Sequence, residues 1–169
     1  MQNRLPPFYL LLLIFLLPIK SYSQEKYDVS IGATIPEGYN IGFKYNYKTN
    51  RRLDFYFGHK IPFEYYSKWN TFTVNHAFYF GKIKSKANGK LWTVNTGFLY
   101  GIYSDNQIGT HNGYVNLYFA REIIISPKIY LEPKLGGSYM LFYNVSRGTL
   151  NGYIIRIAPN FGLNLGFKI

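Results

Sequence analysis

The sequence predicts an all-β protein: an eight-stranded antiparallel up-and-down transmembrane β-barrel behind a cleaved signal peptide. Three observations carry this reading. First, the last seventeen residues place an apolar side chain at every second position: Ile155, Ile157, Pro159, Phe161, Leu163, Leu165, Phe167 and Ile169. Arg156, Ala158, Asn160, Gly162, Asn164, Gly166 and Lys168 stand between them. A period of two is a strand with one apolar and one more polar face. At this length and regularity it suits a wall with lipid outside and a wet lumen inside. Second, Met1–Ser23 has the layout of a secretory signal: Arg4, the apolar run Phe8–Pro18, then Ser21-Tyr22-Ser23 ahead of Gln24. Its eleven-residue apolar run is too short to cross about 30 Å of hydrocarbon as a helix. Third, the two-residue period recurs eight times after Gln24.

The first strand is expected over about 26–35, with Tyr27, Val29, Ile31 and Ala33 on one face. The second, about 39–48, turns Tyr39, Ile41, Phe43, Tyr45 and Tyr47 outward against Asn40, Gly42, Lys44 and Asn46. The third, about 52–60, shows Leu53, Phe55 and Phe57, and the fourth, about 70–82, Phe72, Val74, Phe78 and Phe80. The fifth, about 90–103, carries Trp92, Val94, Phe98, Tyr100 and Ile102. A weaker sixth, about 113–123, has Val115, Leu117 and Phe119. The seventh, about 128–142, has Ile129, Leu131, Leu135, Tyr139 and Leu141. The terminal segment is the eighth.

Link lengths are consistent with both termini in the periplasm, where turns are short and the opposite loops longer. Links 49–51 and 124–127 are short; 61–69, 104–112 and 143–152 are long; 36–38 is shorter than that pattern asks. Asn88-Gly89 favours a two-residue turn, which would send Trp92, Val94 and Phe98 into the lumen. A three-residue loop with a bulge at Gly89 keeps those side chains on lipid, and burial outweighs a turn preference of roughly 1 kcal/mol.

The chain divides into 1–23, the signal peptide, and 24–169, the barrel. The mature part carries 17 basic against 8 acidic residues, and there is no cysteine anywhere. That excludes disulfides, thiolate metal sites, cysteine catalysis and a lipid-anchored signal. The basic residues gather at strand ends and turns (Lys48, Arg51, Arg52, Lys82, Lys84, Lys86, Lys90). They read as rim charges beside anionic headgroups rather than a nucleic-acid footprint. The 18 Tyr and 14 Phe suit membrane interfaces. A soluble ligand-carrying barrel would keep its apolar face inside, the reverse of this pattern.

The pattern and the C-terminal ending resemble the small eight-stranded outer-membrane barrels of the OmpX and OmpA-transmembrane-domain type. The resemblance covers essentially 24–169. It implies an outer membrane of a Gram-negative-type bacterium, with its lipid and lipopolysaccharide as surroundings and the barrel-assembly machinery as a partner in biogenesis. Members generally end in an aromatic residue, and here Phe167 lies two residues before Ile169.

The polar parity points Asp28, Lys44, Asp54, Glu122, Glu132, Lys134 and Arg156 inward, with Asn46, Asn75, Asn95, Asn116 and Asn160. An eight-stranded barrel is just wide enough for side chains to fill, so these charges are expected to pair as a plug. Lys134 and Arg156 are expected to reach Glu132 or Glu122. Pro133 and Pro159 fall inside strands, with Gly136, Gly137 and Gly162 close by. They are expected to mark bulges that bend the wall; the alternative is a lateral opening for a lipid chain.

His59 and His76 fall on the outward parity, and His111 is placed in a loop near Ser104 and Asp105. None of the three is followed by the His-x-Ser pattern of the lipid A deacylases, and no metal, cofactor or phosphate motif appears. No catalytic residue is assigned. Two functions from different classes follow. One is a non-enzymatic barrel presenting loops for envelope integrity, adhesion or partner binding. The other is a lipid A-modifying enzyme, acyltransferase- or deacylase-like.

Overall fold

The structure is a computed structural model that describes residues 26–60, 68–80, 92–105, 107–148 and 156–169, without the Arg147 side chain. The described strands are β1 (Tyr27–Ile35), β2 (Gly38–Lys48), β3 (Arg51–Lys60), β4 (Lys68–Phe80), β5 (Trp92–Ser104), β6 (Gly109–Arg121), β7 (Ile123–Ser126), β8 (Ile129–Arg147) and β9 (Ile157–Lys168). Each pairs antiparallel with its chain neighbour; β6 and β7 both pair with β8, and β9 pairs back onto β1. The sheet therefore closes into an eight-walled up-and-down barrel, with β6 and β7 forming one wall. The signal peptide and the Asn88-Gly89 turn lie outside the described residues.

Burial follows the two-residue period on every wall. Ile41, Phe57, Phe72, Leu117, Leu135, Leu163 and Phe167 are exposed on the outer face, while Asp54, Asn75, Asn95, Asn116, Glu132 and Asn164 are fully buried inside. Phe80 pairs with Trp92 and Phe78 with Val94, so Trp92, Val94 and Phe98 face outward, as burial against lipid requires.

Inside, large rings are accommodated by glycines directly across the ladder. Tyr56 pairs with Gly42, Tyr118 with Gly136, and Tyr130 with Gly166. A Cβ built on Gly42 would fall 2.5 Å from the Tyr56 ring, so the ring occupies the space that a side chain would need. These tyrosines interrupt the expected division into aromatic-out and small-in, and their glycine partners are what make it possible.

Several boundaries differ from the sequence expectation. Strands zip further than turn-forming residues suggest: Ser104 pairs with Gly109 and His111 with Ile102, leaving only 105–108 as the link where 104–112 was expected. Asp105 closes that turn by accepting from the Gln107 and Ile108 N–H groups at 2.7 and 2.6 Å. Hydrogen-bonded pairing outcompetes loop propensity here, and β8 likewise runs on to Arg147.

The prolines do not make bulges. β8 and β9 keep one unbroken register from Ile129↔Phe167 to Tyr139↔Ile157, through Pro133↔Leu163 and Gly137↔Pro159. The bulges of β8 lie instead at Ser146, between Gly109↔Arg147 and Thr110↔Val145, and at Leu141, between Gly113↔Phe142 and Tyr114↔Met140. The bulge at Leu141 turns Phe142 outward, over the space beside Gly113.

The reason lies in which neighbour each N–H would face. The Lys168 N–H bonds to β8 through Lys128 O, whereas the Ile169 N–H bonds to β1 through Tyr27 O, both at 2.9 Å. Odd residues of β9 therefore face β1, whose last partner is Ile35↔Phe161. Pro159 lies two residues beyond that pair and removes no ladder bond. On β8 the Met140 N–H bonds to β9 through Arg156 O at 2.7 Å, so odd residues, including Pro133, face β6 and β7. Pro133 falls between Ala120↔Lys134 and Ile123↔Leu131, where β6 and β7 part. Its missing donor explains the split of that wall.

A direct prediction follows. Pro159→Ala should change unfolding resistance by less than about 0.5 kcal/mol, whereas Pro133→Ala should add roughly 0.5–1.5 kcal/mol by restoring one ladder bond. Urea unfolding of the two variants in the same vesicles checks this, and equal shifts would contradict the assignment.

Candidate functional site

The most highly organised chemistry lies inside the end of the barrel that carries the termini. Arg52, the second residue of β3, stands on the inward parity and is completely buried. All five of its guanidinium N–H groups are used. Nε donates to Asp54 Oδ1 at 2.5 Å, and Nη2 to Asp54 Oδ2 at 2.9 Å and to Glu132 Oε2 at 2.7 Å. Nη1 donates to Glu122 Oε1 at 2.5 Å and to the Tyr79 hydroxyl at 2.7 Å. A planar fork satisfied on every donor is the geometry in which a buried arginine is best compensated.

The remaining charges close around it. Glu132 also meets Lys44 Nζ at 2.9 Å and Lys134 Nζ at 3.8 Å. The Lys134 ammonium sits 3.9 Å from the Tyr56 ring centroid, and reorienting the Asn164 amide gives it an oxygen at 2.9 Å. The Tyr130 hydroxyl donates to Asp28 Oδ2 at 3.0 Å. One network thus ties β1, β2, β3, β4 and β8 to Glu122 at the β6–β7 junction. Chemically it holds charge in place and fills the lumen at that height.

Asp28, Lys44, Asp54, Glu122, Glu132 and Lys134 all lie inside, as their parity indicates. Arg156 is the correction. It is exposed just before β9, and because Glu132 pairs with Asn164, Arg156 lies eight residues farther along the chain, about 26 Å at 3.3 Å per residue. Alternation sets the face of a strand but says nothing of height.

Arg52 takes the place expected of Arg156. It was assigned to the rim because it follows a turn, yet its spacing of two from Asp54 already placed it inside. Tyr56, Tyr79, Tyr118 and Tyr130 also lie inside, although aromatics suit the outer face; the signal is their odd-even position relative to Asp54, Asn75, Asn116 and Glu132 on the same strands.

A fifth inward acid is not signalled by the sequence pattern. Glu37 belongs to the β1–β2 turn at the opposite mouth and is 1% exposed. The Thr34 hydroxyl donates to its carboxylate at 2.9 Å, and the Thr71 hydroxyl to its backbone carbonyl at 3.1 Å. The turn therefore tucks into the barrel and caps it. Loops are assumed to be polar and solvated, which is why nothing flagged this one.

The histidines lie on the outer side and apart from one another. His59 Nδ1 meets Asn70 Oδ1 at 2.9 Å, His76 Nε2 pairs with the Tyr47 hydroxyl, and His111 Nδ1 meets the Tyr100 hydroxyl at 2.7 Å. His111 is within β6, not in a loop with Asp105. No grouping of three or more metal-ligating side chains occurs among the described residues. A Cβ on Gly137 would meet Ala158 O at an ordinary 3.9 Å, while Gly136 and Gly162 lie against Tyr118 and Thr34.

No family model matches the chain, and no curated protein matches it. Solved structures do. The N-terminal β-barrel domain of Pseudomonas aeruginosa OprF aligns with TM-score 0.65 at 15% identity, covering 86% of this chain and 98% of that one. The E. coli outer membrane protein W aligns with TM-score 0.53 at 11% identity, covering 85% and 97%. At such identities the likeness is one of fold: this chain has the small barrel fold of outer-membrane proteins.

Proposed function

We propose that the protein is a non-enzymatic outer-membrane β-barrel of a Gram-negative-type envelope, with termini toward the periplasm and a lumen sealed by its charge cluster. Its wall serves envelope integrity and presents the opposite end to the outside for adhesion or partner binding. Its surroundings are outer-membrane lipid and lipopolysaccharide, and the barrel-assembly machinery inserts it. The observation that carries the reading is the inside-out distribution of side chains. Five of the six described acids are buried inside, while the outer wall is apolar. In water that wall would expose many large apolar groups at about 25 cal/mol per Å², whereas hydrocarbon removes the penalty.

The sealed lumen supports a structural role over transport. Burying charges is tolerable only when they are paired, and the Arg52 cluster pairs them across the barrel. The three histidines lie on the outer side and offer the lumen no imidazole base.

Planar-bilayer recording tests the seal. The purified protein should insert and show no steady ion current, and its folded form should migrate differently from the boiled form on gels. Sustained single-channel steps would overturn the sealed-lumen reading, and recovery as a soluble protein would overturn the location.

A further inference from the structure

The outer wall carries two arginines at the end that holds the termini, and each lies over an aromatic ring on the neighbouring strand. Arg51 Cζ is 5.6 Å from the Phe78 ring centroid on β4, and Arg121 Cζ is 5.1 Å from the Trp92 ring centroid on β5. Register explains both contacts, because Arg51 pairs with Phe78 and Trp92 with Arg121. The two side chains thus approach each other from β3 and β6 across the β4–β5 seam. Phe78 and Trp92 are diagonal neighbours on that seam, a spacing of about 7–8 Å.

Neither guanidinium has a carboxylate partner among the described residues, whose acids are five inside the lumen and Asp105 in the turn at the far end. Arg121 Nε is buried without a hydrogen-bond acceptor. Phe80 and Trp92 stand level with Arg121, and Phe78 and Phe119 level with Arg51; all four are exposed, and farther from that end the outer face continues with Leu117 and Phe98, also exposed. Two cations over aromatic rings, without a carboxylate partner among the described residues and beside an apolar strip, match a molecule with a phosphate above hydrocarbon. Guanidinium favours phosphate by bidentate hydrogen bonding.

We propose that the β4–β5 seam is a binding site for an anionic phospholipid, with its phosphate between Arg51 and Arg121 and an acyl chain running toward the barrel middle along Phe119, Leu117 and Phe98. The inference rests on the membrane reading above. In that orientation the site lies in the periplasm-facing leaflet. The aromatic rings hold the guanidiniums in place, so less side-chain freedom is lost when the phosphate arrives.

The test is native mass spectrometry of the detergent-released barrel, titrated with phosphatidylglycerol, with phosphatidylcholine, and with inorganic phosphate. The wild type should retain the anionic lipid roughly thirtyfold better than the zwitterionic one, from the attraction of two cations. The double variant R51Q/R121Q should lose that preference and R51K/R121K should recover part of it, while K128Q, at an exposed turn elsewhere on the same rim, should leave it unchanged. Inorganic phosphate in excess should not displace the lipid.

Equal retention of both lipids by the wild type, or an equal loss in K128Q, would overturn the site and leave the barrel reading standing. Displacement by inorganic phosphate would show a phosphate site without a lipid. If R51Q/R121Q fails to fold, the single variant R121Q decides, with a smaller loss expected. Failure of the wild type to fold into any bilayer would instead remove the membrane reading.

Discussion

Arg52→Met should destabilise the barrel by about 3–5 kcal/mol, the usual cost of breaking a buried ion pair from one side. The substitution keeps much of the side-chain length but leaves Asp54, Glu122 and Glu132 without their shared cation, all buried. Lys44 and Lys134 remain beside Glu132, but no other basic group within 4.0 Å compensates Asp54 or Glu122 among the described residues. Arg52→Lys should recover only part of the loss, because an ammonium offers three donors where the guanidinium uses five. Adding Glu122→Gln to Arg52→Met should relieve some of the penalty, since it removes one uncompensated charge. Urea midpoints of the four proteins in one vesicle composition measure all of this. A loss under about 1 kcal/mol for Arg52→Met would show that the cluster does not hold the lumen together.

Leu163→Arg should cost roughly 2–4 kcal/mol in a bilayer, because it lies near the middle of β9 on the lipid-facing side. Leu163 is 48% exposed and pairs with Ala33 on one side and Pro133 on the other. The matching test is a larger apolar residue. Leu163→Phe should be accepted with little change, since lipid yields where protein packing does not. Leu99→Phe should lose about 1–3 kcal/mol by overpacking, because Leu99 is fully buried against Tyr114 and Met140 inside. The neighbouring Asn164 is no neutral comparison: it is fully buried beside Gly32 and Lys134, so an arginine there meets both a wall and a like charge. If Leu163→Phe and Leu99→Phe cost the same, the inside and outside assignments fail.

Much of this was legible before any coordinates. The pleat repeats every two residues wherever a strand forms, so the side on which Leu163, Asp54 or Trp92 stands is a local property. Eight such segments, alternating in direction, leave few ways to close. Trp92 pairs with Phe80 and stands on the outer face with it, where an aromatic ring gains most from lipid.

What remained hidden was height and partnership. Arg52 meets Glu132 across 80 positions of sequence, and Tyr130 meets Asp28 across 102. Which inward groups share a level depends on the stagger that closes the barrel, and no stretch of chain carries that quantity by itself. Arg156 and Arg52 stand on the same parity, yet only Arg52 reaches the acids. The sequence alone determined which way each wall faces, because facing is set by neighbours two residues apart. Only the closed sheet decided which charge finds which, because pairing in the lumen is set by strands that meet through space.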